Sequence, residues 1–250
     1  MNKLGIAPAR IRIDKKTHTY THTVSGDMYT GVTTILGVRG ADWLKFWTTK
    51  ENYNYMMSNW DIGKTYTQTE KEQLLYEAKT AHTRKSKAAL SDGKIAHQWI
   101  EHYLAETPKL MPESEKAKNA ILAFLDFEIK HNVEWLLSEF IVASEVNRYA
   151  GTLDAYAKVD GLKTLIDFKT SNHLNDDVFL QTAGYQIALE EMGEKPDRRM
   201  VIRLPKDGGK LEIVTIPSDL TFDKQTFLSL RQAHRWNLYT QRFRDNGIIS

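Results

Sequence analysis

Polar and apolar positions alternate near the start of the chain. Ile11 and Ile13, then Tyr20, His22 and Val24, precede a Ser25-Gly26-Asp27 turn and Met28-Tyr29. Period-two alternation around a glycine turn predicts a β-hairpin within residues 10–36. Thr33 or Thr34 is placed to cap a short helix from Ile35. The period then lengthens. Trp43, Phe46 and Trp47 follow helical spacing in an aromatic stretch that also holds Tyr53, Tyr55 and Trp60. Residues 70–104 read as helices, with Asp92 as the N-cap of the last. There Ile95, Ala96, Trp99, Ile100, Tyr103 and Leu104 form a buried stripe. A proline-bounded loop (107–112) leads to a helix with Ala117, Ile121, Phe124, Leu125 and Ile129 inward.

From residue 133 the pattern turns to strands, the first around 139–143. Runs 152–159 and 164–168 flank Asp160-Gly161 as a hairpin. Asp176 or Asp177 starts a helix that Gly193 ends, with Val178, Gln181, Tyr185 and Leu189 along one side. A second hairpin, 200–204 with 210–216, turns at Asp207-Gly208-Gly209. A final helix over 222–243 presents Phe227, Leu230, His234 and Leu238. Helix, helix, three strands, helix, two strands, helix is the order of a mixed central β-sheet flanked by helices, an α/β fold. The chain of 250 residues reads as one domain. Residues 1–90 form its N-terminal hairpin and mostly helical lobe.

Composition narrows the chemistry. With no cysteine, thiol catalysis, disulfides, Cys-ligated zinc and iron–sulfur clusters are excluded. A net charge of +2 means that any basic surface is local. The most basic window, Lys79 to Lys94 with Arg84, Lys85 and Lys87, is either a solvated helix face or a phosphate track. The aromatic segment 42–60 is either core or a stacking platform for bases. No apolar run approaches a membrane span and no signal peptide is seen, so the expected setting is cytoplasmic, without membrane partners.

The chemistry concentrates in the hairpin GTLDAYAKVDGLKTLIDFKTS, residues 151–171. Asp167 and Lys169, two apart on a strand, share a face, and pairing of the strands can bring Asp154 beside them. Two carboxylates and an ammonium among Leu, Ile and Phe are costly unless paired or bound to a cation. Mg²⁺ or Mn²⁺ suits such oxygen donors, and an imidazole, His97, favours Mn²⁺. A phosphodiesterase uses such a metal to activate water and neutralise charge. A lysine whose pKa is lowered by burial can position or deprotonate that water. The plainer readings are a surface ion pair for the hairpin and a core-edge histidine for His97.

The strings GKIAHQWIE, GTLDAY, LIDFKTS and QTAGYQIAL together resemble the PD-(D/E)xK nuclease superfamily, in its RecB-type branch. That branch includes the mitochondrial genome maintenance exonuclease, CRISPR-associated adaptation nucleases and many phage exonucleases. Gly93 and His97 match G-x-x-x-H, and Gly151 and Asp154 match G-x-x-D. Asp167 and Lys169 match D-x-K, and Gln181 and Tyr185 match Q-x-x-x-Y. HTYTH…YTGVTTIL is similar to the H-x-Y…P-S-V-T-x-I-L segment of the mitochondrial and phage members, departing from it at Thr30-Gly31. The resemblance covers residues 17–190.

It implies a restriction-endonuclease-like core and a metal held by His97, Asp154, Asp167 and the Phe168 carbonyl. Lys169 then acts on the attacking water, and Gln181 and Tyr185 touch the DNA backbone or support the site. Thr170 and Ser171 are candidate phosphate contacts, Glu145 a candidate extra acid, and Glu101 a candidate partner orienting His97. The implied activity is a divalent-metal-dependent DNA exonuclease without an iron–sulfur cluster, in recombination, repair or phage DNA processing. Its substrate is single- or double-stranded DNA, with ends, and a recombination or replication protein is a possible partner. A bacterial or phage-infected cytoplasm is the implied setting. The alternatives are an endonuclease, a catalytically idle nucleic-acid-binding module, and a structural recombination partner.

Overall fold

The structure, a computed structural model, describes residues 2–248 except 15, 18, 41 and 108, and the side chains of these except 42, 43, 88 and 89. His18 of the HTYTH string, the side chain of Trp43 and Pro108 of the expected loop lie outside the described residues. The chain divides into two compact units, Met1–Arg39 with Ile95–Ser250, and Gly40–Lys94.

The larger unit carries the sheet. Strands β1 (Ile11–Asp14), β2 (Thr19–His22) and β3 (Met28–Gly31) form an antiparallel meander. It is followed by α1 (Val32–Leu36) and a 3₁₀ turn, Gly37–Arg39. The smaller unit holds α2 (Asp42–Asn59) and the first part of α3 (Gln68–Leu104). Then come α4 (Glu115–Lys130), β4 (Val133–Ser144), β5 (Tyr149–Val159), β6 (Leu162–Lys169), α5 (Asp177–Glu191), β7 (Arg198–Arg203), β8 (Glu212–Pro217) and α6 (Thr221–Asp245). The mixed sheet has eight strands among the described residues. Its β4–β5–β6 meander is antiparallel, and α5 crosses over to place β7 parallel to β6.

Local chemistry accounts for the main elements. Ser114 caps α4, its Oγ accepting from the Ala117 N–H at 3.3 Å. Ala117, Ala120, Ile121, Phe124 and Phe127 give that helix its buried face. Asp160 and Gly161 both have left-handed backbones, φ +53° and +84°. A two-residue β5–β6 turn needs that conformation. The sheet separates two apolar layers. On one side Leu137, Tyr149, Leu153 and Leu165 pack with Val32, Ile35, Tyr185, Leu189 and Phe227. On the other Trp135, Ile166, Phe168 and Ile202 pack with Ala96, Ile100, Ile121 and Phe124. Two glycines set the first layer's spacing. A Cβ at Gly151 would stand 2.4 Å from a Tyr185 ring carbon, and one at Gly184 would stand 2.6 Å from the Phe227 ring.

Two local expectations, the helix starts at Asp92 and at Thr33 or Thr34, are corrected, and two others are sharpened. No helix starts at Asp92: α3 runs unbroken through Asp92-Gly93, since a glycine costs a helix only about 1 kcal/mol. The first helix starts at Val32 with Gly31 at its N-cap, not from Thr33 or Thr34. Asp176 stands at the N-cap of α5 without a side-chain capping bond. It and Asp177 instead pair with Arg39. The aromatic segment is not simply core: Phe46 is 78% exposed and Tyr53 61%. Trp47 packs edge-on against His82, and Trp60 stacks on Tyr66. Of the basic window, Lys85 pairs with Glu51 at 2.8 Å and Arg84 lies over the Tyr55 ring. The N-terminal hairpin belongs to the sheet unit through β3, which runs parallel to β5, while residues 40–94 form the smaller unit.

Candidate active site

The site lies where one edge of β5 changes partner. Along that edge, Thr30 and Gly31 of β3 pair with Tyr149 and Ala150, while β6 pairs with Ala155 to Val159. Residues 151–154 lie between the two partners, at a fork in the sheet. There the Phe168 N–H donates to Asp154 Oδ2 at 2.8 Å, a side chain standing where a ladder carbonyl would otherwise accept. The Leu204 N–H donates to the Lys169 carbonyl, so that peptide faces β7. Strand alternation turns the Phe168 peptide, N–H and C=O together, toward the fork.

Asp167 and Lys169 occupy the same face of β6, as the spacing predicts. Lys169 Nζ lies 2.7 Å from Asp167 Oδ2. It also donates to Gln181 Oε1 at 3.1 Å, and Gln181 Nε2 donates to the Tyr185 hydroxyl at 3.0 Å. The Q-x-x-x-Y pair on α5 therefore orients the lysine. Asp167 is 1% exposed, and neither of its carboxylate oxygens has a hydrogen-bond partner of good geometry.

Burial pushes the Asp167 carboxyl well above the ordinary carboxylate range. Lys169 opposes the shift, Asp154 adds to it, and the field of His97 opposes it. For Lys169, burial is the largest single influence and pulls its pKa down. The Asp167 and Asp154 carboxylates together overcome it, and the ammonium is held above its ordinary value. The two carboxylates thus outweigh the burial that by itself would lower this lysine. Tyr185 is pushed far up by burial, then by Asp167 and Asp154, and stays a neutral phenol.

The remaining predicted residues divide. His97, half-buried on α3, acts on Asp167 through its field. Among the described residues no three His, Asp or Glu side chains converge closely enough to enclose an ion. Glu101 follows His97 by one helical turn and is half-buried. Thr170 is half-buried directly after Lys169, whereas the Ser171 hydroxyl donates to the His173 carbonyl at 2.8 Å and closes its own loop. Glu145 is not brought to the fork. It sits in the β4–β5 turn, where its field acts on Tyr29. Asp154 lies five residues along β5 from Tyr149, where that turn ends, about 17 Å at the rise of a strand.

The sequence pattern missed Glu139. In the β4–β5 ladder Ser138 faces Ala155 and Phe140 faces Leu153, which puts Glu139 across from Asp154. Its backbone is left-handed, φ +47°, an uncommon state for a non-glycine residue and a local kink in β4. Nothing in the alternating pattern of residues 133–144 signals it.

An enclosed acid whose oxygens lack well-formed hydrogen bonds, beside a second carboxylate and a strand peptide, is a donor set that a hard divalent cation could satisfy. Asp167, Asp154 and the Phe168 carbonyl could hold such an ion, with water completing the shell as Mg²⁺ usually requires. In class, the molecule is an α/β protein whose helix–strand order is that of a restriction-endonuclease-like core, with an acid–lysine centre at the sheet fork.

No family model matches the chain, and no curated relative is found. Among solved structures it is similar to an alkaline exonuclease, LHK-Exo, from Laribacter hongkongensis: 12% identity over 62% of this chain and 93% of that one, TM-score 0.37. LHK-Exo in complex with dAMP gives 12% over 60% and 83%, TM-score 0.36. The crystal structure of SSO0001 gives 16% over 55% and 82%, TM-score 0.32. With TM-scores below 0.5, these likenesses carry no weight in assigning the site.

Proposed function

We propose that this protein is a divalent-metal-dependent deoxyribonuclease that degrades DNA from its ends. The observation that carries the proposal is Asp167, buried with one carboxylate oxygen in contact with Lys169 and no well-formed hydrogen bond to either oxygen. As a structural ion pair this would be poorly satisfied, because burying a carboxylate is costly unless its oxygens are bonded. A bound Mg²⁺ or Mn²⁺ supplies what the acids lack, and its chemistry is to lower the pKa of water and neutralise phosphate charge.

The chain's own residues then have distinct work. Asp154 and Asp167 hold the cation, aided by the Phe168 carbonyl, with His97 close enough to act on Asp167 through its field. Lys169, as an ammonium, stabilises the charge that develops on the phosphate oxygens during displacement. Gln181 and Tyr185 keep the Lys169 ammonium aimed at the fork. Thr170, directly after Lys169, is a further contact for the scissile phosphate in this reading. Such an activity fits recombination, repair or phage DNA processing, with other proteins of those processes as partners. Among the described residues no helix is long and apolar enough to cross a membrane.

The test is a product ladder from end-labelled linear DNA, single- and double-stranded, beside covalently closed circular DNA, with Mg²⁺, Mn²⁺ or EDTA. Metal-dependent shortening of linear DNA with circles spared is expected. Nicking of circles would make the enzyme an endonuclease. Metal-independent binding with no product would leave a binding module only.

A further inference from the structure

The C-terminal helix changes character halfway along. The first half of α6 is anchored: Asp223 pairs with the buried Arg199, and Phe227 is fully buried against Gly184. Arg231 is also buried and donates to the carbonyls of Asn147 and Arg148 at 2.9 and 3.0 Å. Beyond Arg231 the helix leaves the core. Trp236 is 61% exposed, Leu238 52% and Tyr239 53%, so the expected inward face through Leu238 does not continue.

This outer half is about 18 Å long at 1.5 Å per residue. At 3.6 residues per turn, Arg235 and Arg242 form one strip and Trp236, Tyr239 and Phe243 the adjacent one. The aromatic strip is a continuous ladder, with ring centroids 5.8 Å apart from Trp236 to Tyr239 and 4.8 Å from Tyr239 to Phe243. Among the described residues no carboxylate pairs with Arg235, Arg242 or Arg244. The single acid here, Asp245, accepts from Gln241 at 2.8 Å.

We infer that this exposed half-helix is a binding strip for single-stranded DNA, with bases stacking on Trp236 and Tyr239 and phosphates meeting Arg235 and Arg242. Flat π faces beside unpaired cations suit a polyanion with exposed bases. A second copy laid along the same face would set arginine against arginine. The net charge of +2 for the whole chain makes this local excess a property of the strip. Its place in the fold agrees: Lys224 pairs with Glu190 and Phe227 packs on Gly184, so α6 runs antiparallel to α5. It passes α1 and the Gly37–Arg39 turn, whose arginine pairs with Asp176 and Asp177 at the start of α5. The inference rests on DNA being the substrate of the fork site, but its test requires no cleavage.

The test is fluorescence anisotropy of a labelled oligothymidylate in EDTA, across a salt series, with the full chain and two double variants, R235A/R242A and W236A/Y239A. All four positions are exposed, and thermal melts check that both variants fold. R235A/R242A is expected to weaken binding at least tenfold at low salt. It should also flatten the slope of log affinity against log salt by about 1.4, at about 0.7 per phosphate contact on a single strand. W236A/Y239A is expected to weaken binding about tenfold or more with the slope unchanged, as lost stacking would. A duplex, whose bases are already stacked, should respond to the arginine pair alone. Unchanged oligothymidylate affinity in both variants overturns the inference. So does a wild-type dimer in sedimentation that W236A/Y239A dissolves without altering DNA affinity. Intact strand binding with no cleavage by the wild type would instead strike the nuclease proposal and leave this strip standing.

Discussion

Two buried acid–base pairs lie on neighbouring strands of one sheet, and they are satisfied very differently. Arg199 on β7 and Asp223 at the start of α6 pair so that both of the acid's oxygens are bonded, although the buried Arg199 Nε has no partner. The guanidinium also donates to the Phe179 carbonyl at 3.0 Å, and Asp223 Oδ1 accepts from the Lys224 N–H at 2.8 Å. Asp167 on β6 is as enclosed, beside a Lys169 that is 25% exposed, yet the acid's oxygens accept no well-formed hydrogen bond. A pair that pins a helix to a sheet has its lone pairs bonded. A pair kept for chemistry leaves them open to a ligand that is not part of the chain.

That contrast can be broken by substitution. Asp167→Ala and Lys169→Ala should each lower DNA cleavage by about 10²–10³-fold or more, the scale of a lost electrostatic stabiliser, while thermal melting shows the fold kept. Wild-type rates in Lys169→Ala would remove the lysine from the mechanism. Asp223→Ala should do the reverse. It leaves Arg199 buried and unpaired, a loss of about 3–5 kcal/mol in urea unfolding, with cleavage per folded molecule unchanged. An Arg199→Met/Asp223→Leu double variant should recover most of that stability.

Smaller effects sharpen the picture. Gly151→Ala forces the Tyr185 ring away from β5 and should cost about 1–3 kcal/mol, the usual range for overpacking. Gln181→Ala removes one of the two groups that hold the Lys169 ammonium, and kcat should fall about 10–100-fold, as for other outer partners of a reactive centre, with DNA affinity unchanged. An unchanged kcat would make Gln181 a packing residue. The smallest effect belongs to an exposed pair. Glu70 is held down to about 2 by its hydrogen bond from Lys64, then by Thr67. Its folded pKa lies below the ordinary value, so its contribution is present above about pH 4.5 and lost as the pH falls through about 2. The melting-temperature gap between wild type and Glu70→Gln should close over that window.

Much of this was legible in the chain. The β5–β6 hairpin is written in its alternation and in Asp160-Gly161, and the shared face of Asp167 and Lys169 follows from a period of two. Gln181 and Tyr185 stand one helical turn apart, and they do converge on the lysine. What was hidden is non-local. No pattern says that Gly31 pairs in parallel with Ala150, and without that pairing there is no fork. Asp92-Gly93 reads as a helix start because local signals favour it, but the helix carries through. The charge state of Lys169 depends on how two carboxylates balance its burial, which composition does not reveal. Glu139 has a left-handed backbone that only the folded ladder imposes.

The fork also dictates when the centre can exist. Pairing Gly31 with Ala150 closes a loop of about 120 residues, an entropy cost of about 4 kcal/mol beyond the constant term. The compact unit Gly40–Lys94 shortens the effective loop by folding within it. Contacts of such long range form late, and β7, which completes the outer edge of β6, follows Lys169 by a whole helix. A partly made chain therefore carries every residue of the centre before it carries the centre itself, which arrives only with the finished sheet.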